Sequence, residues 1–320
     1  MKKHLIIYHK EDNDGVFSAA IAAEYIRKEN KEDVIDTKGM DYVMMANITK
    51  DDLYIWQEVY DNVIMVDISF SNPKTMKMMW EMFGSKFIWI DHHAPAIKSS
   101  FANGYDNVPG ERGTDRSALM LTYKFFFDPL DEQWMKNETP YILKVLSVWD
   151  SFTFSDEIHK DFAYDVNVGV TDYFRLSLTS IRAFIRNIIE NGENGGDVAY
   201  FMEIGHTINK HNAWVAEQRL MNDGDFTWKV GNRQAVALFL QGATNSLMFE
   251  SAKDRAKNGI VFKRKPDGNW VISLYNTNDG DEFHCGEFLK NNYGGGGHGG
   301  AAGATITQKQ FIKLLSTKTL

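Results

Sequence analysis

The chain has 320 residues, with 35 Lys and Arg against 43 Asp and Glu (formal charge −8) and 43% hydrophobic content that includes 8 Trp and 21 Phe. That content excludes a disordered chain and leaves room for one or two folded domains, while the acidic balance argues against a surface that tracks long duplexes, since neutralising phosphates takes clustered Lys and Arg. The single cysteine, Cys285, excludes an internal disulfide and a four-cysteine zinc knuckle. MKKHLIIYHKED does not read as a leader, and nowhere do ~18 apolar residues run together, so a cytoplasmic protein without a membrane partner is expected.

In chain order, HLIIYH (4–9) reads as a buried parallel strand and GVFSAAIAAEYIRKEN (15–30) as the helix after it. The pattern returns in VIMVDISF (63–70) followed by NPKTMKMMWEMF, where Asn72 can cap and Pro73 suits a first helical turn, and again in KFIWI before DHHAP. Strands alternating with helices predict a parallel sheet with helices on both faces, whose ligands bind at the carboxyl ends of the strands. His9, Asp67 and Asp91/His92 all fall at such ends and should converge. Residues 96–114 read as a loop; DRSALMLTYKFFF and the stretch from Tyr141 to Trp149, closed by Asp150, read as helices, with more to about residue 190. The glycine-rich ENGENGGD (190–197) is the clearest composition break. A long amphipathic segment follows, and from Phe226 the runs FTWKV, AVALFL, GIVFKRK and WVISLY predict strands, the last two joined at Asp267-Gly268. The expected fold class is therefore α/β: an N-terminal parallel-sheet domain over 1–195, a connecting helix over 196–224 and a smaller mixed α/β domain over 225–320.

His9, Asp12 and Asp14 lie where a strand gives way to a helix, so they can reach one point, although Asp12 and Asp14 also suit a helix cap. Asp67 and Asp150 are unremarkable taken singly. His92 and His93 are not, because two histidines after an acid at a strand end are unusual, and strand alternation would point their rings to opposite faces. Together, four carboxylates and two histidines form a donor set for two divalent cations, with hard oxygen and imidazole ligands suited to Mn²⁺ or Mg²⁺. Two such cations ~3.5 to 4 Å apart clamp the attacking and leaving oxygens of a phosphoryl transfer. Phosphoester hydrolysis is the natural reaction.

The order His-x-x-Asp-x-Asp-Gly, strand-end Asp, Asp-His-His and later Asp, with GGGGHGGAAG at 294–303, resembles the DHH phosphoesterases and, at its C-terminal end, their DHHA1 branch, over essentially the whole chain. The resemblance implies that His9, Asp12 and Asp67 bind one metal and Asp14, Asp67, His92 and Asp150 the other, with Asp67 as bridge. Two Mn²⁺ per chain are implied, with Mg²⁺ or Co²⁺ as alternatives. Asp67, His92 and His93 would be the catalytic residues, His93 turned toward substrate phosphate and Asp91 orienting an imidazole. Substrate contacts would come from His93, Arg116, Ser117, Gly296, Gly297, His298 and Gly299. The chain departs from the family in two places: the His9–Asp12 spacing is one residue off that of some members, and Tyr275 stands where the DHHA1 branch usually carries an arginine. A tyrosine there could stack on a base, with Lys263 or Arg264 supplying charge. The resemblance ranks Mn²⁺-dependent hydrolysis of short oligonucleotides or small nucleotides first, of the oligoribonuclease type. Cyclic dinucleotides, 3′-phosphoadenosine 5′-phosphate and a non-catalytic nucleotide sensor stand as alternatives, and a homodimer is compatible with all of them.

Overall fold

The structure, a computed structural model, describes residues 1–130, 139–155, 158–193, 195–241, 246–277 and 282–320. It divides into two compact units, Met1–Asn209 and Lys210–Leu320. Among the described residues no helix is long and apolar enough to cross a membrane. Asn194, within the composition break, lies outside the described residues.

In the first unit β1 (Lys3–His9), β2 (Val34–Met40), β3 (Asn62–Val66) and β4 (Phe87–Ile90) form a wholly parallel sheet in the order β2-β1-β3-β4. The near-continuous apolar runs of β1, β3 and β4 follow from burial of both faces. Leu5, Ile7, Val63, Met65 and Trp89 pack with Leu53, Trp56, Met76 and Met79, on α3 (Lys50–Val59) and α4 (Pro73–Phe83). Ile6, Ile64, Val66 and Ile90 face the other way, against Ala19, Ala22 and Ala23 of α1 (Asn13–Glu29) and Leu121 of α6 (Ala118–Phe127). Asn72 accepts from the Lys74 amide with Pro73 behind it, the start that the sequence predicts for α4. Three successive elements were not legible: β2, after it the short α2 (Tyr42–Ala46), and then α3. The predicted loop over 96–114 is corrected in its first part, where Ala94–Asn103 form α5 and end on Gly104 in the left-handed conformation. APAIKSSFAN carries a proline in its first turn and a glycine just past its last, which is helix punctuation rather than loop.

Among the described residues the remaining helices of this unit are α7 (Tyr141–Ser151), α8 (Lys160–Phe174), α9 (Leu178–Asn191) and the first part of α10 (Gly195–Asp223). α8 meets α10 backbone to backbone: a Cβ on Gly169 would sit 1.9 Å from the Phe201 carbonyl oxygen, and one on Gly205 1.7 Å from that of Asp165. α9 is held to α1 by Glu24, buried at 4% exposure, whose carboxylate accepts from Arg182 Nε at 2.7 Å and Arg186 Nε at 2.7 Å. Replacing Glu24 with Ala leaves two guanidiniums against a buried gap. Stability in urea should fall by about 2 kcal/mol, less than the ~3–5 kcal/mol of a fully buried pair because the Arg186 side chain stays 41% exposed. An unchanged midpoint would show that α9 is held by its apolar face alone.

The second unit is a mixed six-stranded sheet in the order β5-β6-β7-β8-β10-β9, comprising β5 (Asp225–Val230), β6 (Arg233–Phe239), β7 (Asn258–Arg264), β8 (Trp270–Asn276), β9 (Gly296–Gly297) and β10 (Ala301–Ile306). β6 and β7 run parallel and the other pairs antiparallel, with β7 and β8 joined through Gly268 at φ 84°. α11 (Cys285–Tyr293) and α12 (Gln308–Thr317) cover one face.

Candidate metal centre

The parallel sheet reverses its order between β1 and β3, and side chains from every strand end gather there, as open α/β sheets favour. β1 ends on His9 and turns at once into α1. That turn is so tight that a Cβ at Gly15 would lie 2.1 Å from the His9 carbonyl oxygen, which is why a glycine follows Asp14. Asp12 caps α1 through the Gly15 amide (3.0 Å) and places its other oxygen 2.6 Å from His9 Nδ1. The alternatives of cap and donor therefore coexist in one residue. Asn13 points away from its two acidic neighbours: its Nδ2 donates to Asn167 Oδ1 (2.8 Å) and Thr171 Oγ1 (2.8 Å) on α8, clamping the turn.

Asp67 follows β3 with φ 56°, a left-handed conformation that Asp tolerates better than most residues, and is 1% exposed. Its Oδ2 lies 3.6 Å from His9 Nδ1 and its Oδ1 3.4 Å from His92 Nε2. His92 Nε2 is also 3.6 Å from Asp14 Oδ2 and 3.4 Å from Asp150 Oδ2 at the end of α7. Asp14, 3% exposed, is steadied by the first amides of α6, from Ala118 (2.8 Å) and Leu119 (2.7 Å).

The two imidazoles do not diverge as strand alternation predicts. The ring centres of His92 and His93 are 4.6 Å apart, because β4 ends at Ile90 and His93 already serves as the N-cap of α5, so the period of two no longer applies. His93 Nδ1 is taken by Asp91 Oδ1 at 2.7 Å, and Asp91, wholly buried, also receives the His93 amide (3.1 Å) and Trp89 Nε1 (3.2 Å). Tyr42, which sequence reasoning missed, leans over the same group, its ring 5.8 Å from that of His9 and edge-on to His93 at 6.3 Å.

Electrostatically the cluster is crowded with like charge. Burial, and then the neighbouring Asp14, push the Asp150 carboxyl up to about 8. Asp67 is raised well above the usual carboxylate range by burial and by Asp14, and Asp14 is raised by its own burial. Hydrogen bonds to Asp12 and Asp67 lift His9 to about 10. The Asp91 hydrogen bond raises His93. Asp67 Oδ1 and Asp150 Oδ2 are buried with no hydrogen-bond partner, a costly arrangement that a cation would relieve. Among the described residues, three sets of donors lie close enough to hold an ion: His9, Asp12 and Asp67; Asp14, His92 and Asp150; and Asp67, His92 and His93. All are oxygen or imidazole, a set that fits Mn²⁺ or Mg²⁺.

Other predicted residues lie elsewhere. Ser117 is the N-cap of α6 and wholly buried, its amide donating to Ser147 Oγ (3.2 Å), so it supports the Asp14 contact and offers no open face to a substrate. Arg116, beside it, has its side chain 18% exposed with Asp115 3.8 Å away. In the second unit, Tyr275 is corrected as a base-stacking residue: it is 7% exposed, and its ring packs in the core with Phe249 (5.7 Å). Gly296, Gly297, His298 and Gly299 form the β9–β10 turn, with His298 exposed, its amide donating to Ala301 O (2.7 Å) and its carbonyl accepting from Gly286 N (3.0 Å).

A parallel α/β sheet with this donor set at its switch point defines the class, an α/β domain with a candidate divalent-metal centre. Residues 3–146, somewhat less than half of the chain, match the family described as DHH family, N-terminal domain. Among solved structures it is similar to the DHH domain of a protein described as a member of a ribosomal-protein family (TM-score 0.58, 13% identity, 99% of this chain and 85% of that one). It is also similar to the pGpG-specific phosphodiesterase PggH from Vibrio cholerae (TM-score 0.51, 12% identity, 99% and 97%). Exonuclease RecJ bound to manganese gives a TM-score of 0.47 at 12% identity, over 99% of this chain and 89% of that one. At such identities the likeness is one of fold. No protein of curated function matches the sequence.

Proposed function

We propose that the chain hydrolyses phosphodiester bonds in short oligonucleotides or small nucleotides, with two Mn²⁺ as its cations. The observation that carries the reading is the Asp67 carboxylate, buried, with Oδ2 turned to His9 and Oδ1 to His92. In this reading His9, Asp12 and Asp67 hold one cation, and Asp14, Asp67, His92 and Asp150 the other. The cations would supply charge neutralisation at the phosphoryl oxygens and a lowered pKa for the attacking water.

The chain's own residues do the rest. Asp91 holds His93 by Nδ1, which favours the protonated ring and turns Nε2 to donate to a phosphate oxygen. The α6 amides fix Asp14, and the Asn13 clamp fixes the turn that carries Asp12 and Asp14, so the donors meet a substrate without rearranging. The reading extends to a DHH domain over 1–195, a connecting helix over 196–224 and a DHHA1-type substrate-binding domain over 225–320, with Arg116, Gly296, Gly297, His298 and Gly299 as further contacts. It includes a cytoplasmic location and allows a homodimer. The sensor alternative keeps its one support, the missing arginine at position 275, which a buried tyrosine does not replace.

The test is turnover with Mn²⁺ on 5′-phosphorylated dinucleotides, longer RNA and DNA, cyclic dinucleotides and 3′-phosphoadenosine 5′-phosphate, alongside a metal count per chain. Dinucleotides should be cleaved fastest, with decline on longer chains. Preference for a cyclic dinucleotide or for the phosphoadenosine would replace the substrate assignment. Two bound cations with no turnover on any substrate would move the reading to a sensor.

A further inference from the structure

One aromatic side chain at the metal centre has no part in the scheme above. Tyr42 opens α2 at the carboxyl end of β2 and remains 40% exposed although its ring lies against both His9 and His93. The next two residues, Val43 and Met44, are 73% and 38% exposed, so an apolar corner stands at the rim of a cluster otherwise built of acids and imidazoles. The corner is braced. Asp41 caps α2 through the Met44 amide (2.7 Å) and pairs with Lys10 Nζ (2.9 Å), while the Lys10 amide donates to Met40 O (3.0 Å). Lys10 directly follows His9, so the β1 end that carries one donor also fixes the corner that carries the tyrosine.

We propose that Tyr42 is the residue on which a nucleobase of the substrate stacks, which makes the β2–α2 corner a determinant of preference for base-bearing phosphodiesters. This rests on the nucleotide reading above. A phosphate held among His9, Asp67, His92 and His93 leaves its attached nucleoside at the edge of the cluster. There Tyr42 offers a planar, partly solvent-facing ring already fixed in place. Stacking on an aromatic ring is tolerant of base identity because every base has a π-face, and a braced ring gives up little freedom on binding. Shielding of His9 and His93 alone would be met by any apolar side chain and calls for no exposed face.

The test is binding. A 5′-phosphorylated 2-aminopurine dinucleotide with a phosphorothioate linkage is titrated with Mn²⁺ present, reading the quenching that stacking produces. A counterpart with abasic sugars is titrated by calorimetry. Tyr42→Phe should keep the wild-type Kd within about twofold. Tyr42→Ala should weaken the base-bearing probe roughly tenfold and lose most of the quench, while both proteins bind the abasic probe alike. Equal affinity of Tyr42→Ala and wild type for the aminopurine probe would overturn the proposal, as would equal loss on both probes, the mark of a shield. Hydrolysis of the ordinary phosphodiester, followed in parallel, separates the two readings: its absence removes the enzyme and leaves the stacking result standing.

Discussion

Asp67→Asn should reduce turnover on the order of 10³-fold while the protein stays folded, because a cation clamp is worth several kcal/mol and each ~1.4 kcal/mol is a factor of ten. Asn is the replacement of choice: it keeps the shape and, like Asp, tolerates the left-handed backbone at φ 56°, where Ala would add strain. Only the charge and one acceptor oxygen are lost. In chelator-treated protein this loss should help, since Asp67 is buried among Asp14, Asp12 and Asp91 and is raised well above its ordinary pKa. The variant's melting temperature in EDTA should therefore equal or exceed that of wild type, and its response to Mn²⁺ should shrink. Turnover within tenfold of wild type would reject Asp67 as the shared ligand, and a lower melting temperature in EDTA would reject the account of its charge.

The second large effect is the pH dependence of Mn²⁺ stabilisation. Asp150 titrates at about 8 against an ordinary value of 3.8, so between those limits the folded chain binds a proton that the unfolded chain lacks, and stability falls as pH rises through that window. His9, raised from 6.5 to about 10, acts in the same direction: its contribution is full below 6.5 and is lost as pH rises through 10. In EDTA the melting temperature should fall steadily from pH ~6 to ~8.5, within the window those two groups set. Mn²⁺ binding must displace both protons, so it strengthens over the same range. At ~100 times its Kd a ligand adds about 2.7 kcal/mol, which is roughly 5–10 °C for a unit of this size. That gain should appear at the upper end of the range and largely vanish at the lower. An equal gain at both ends would show that neither His9 nor Asp150 is a ligand.

Legibility followed the physics of burial. β1, β3 and β4 announce themselves because both of their faces are covered, whereas β2, VIDTKGM, has Asp36 and Thr37 exposed, and its mixed composition hides it. Tyr42 was missed for the same reason, since no apolar run pointed to a strand end just before it. His9, Asp67 and His92 were legible as a converging group because each closes or follows an apolar run. The direction of His93 was not, because alternation stops where the strand does. The Ala118 and Leu119 amides, and Asn167 and Thr171 behind Asn13, have no local signal at all, for their role exists only once distant helices pack.

The Asn13 clamp also sets the order in which the centre can come into being. A ribosome releases the His9–Asp14 turn and the DHH stretch early, but Asp150, Asn167 and Thr171 emerge more than fifty residues after the Asp-His-His motif. Until then the acidic turn lacks its Asn13 clamp, although the Ala118 and Leu119 amides can already hold Asp14, and the second donor set lacks its carboxylate from α7. A fragment ending at residue 146, where the family match stops, would keep the first three motifs and still be unable to close the centre. The donors and the clamp together span residues 9–171 of this unit.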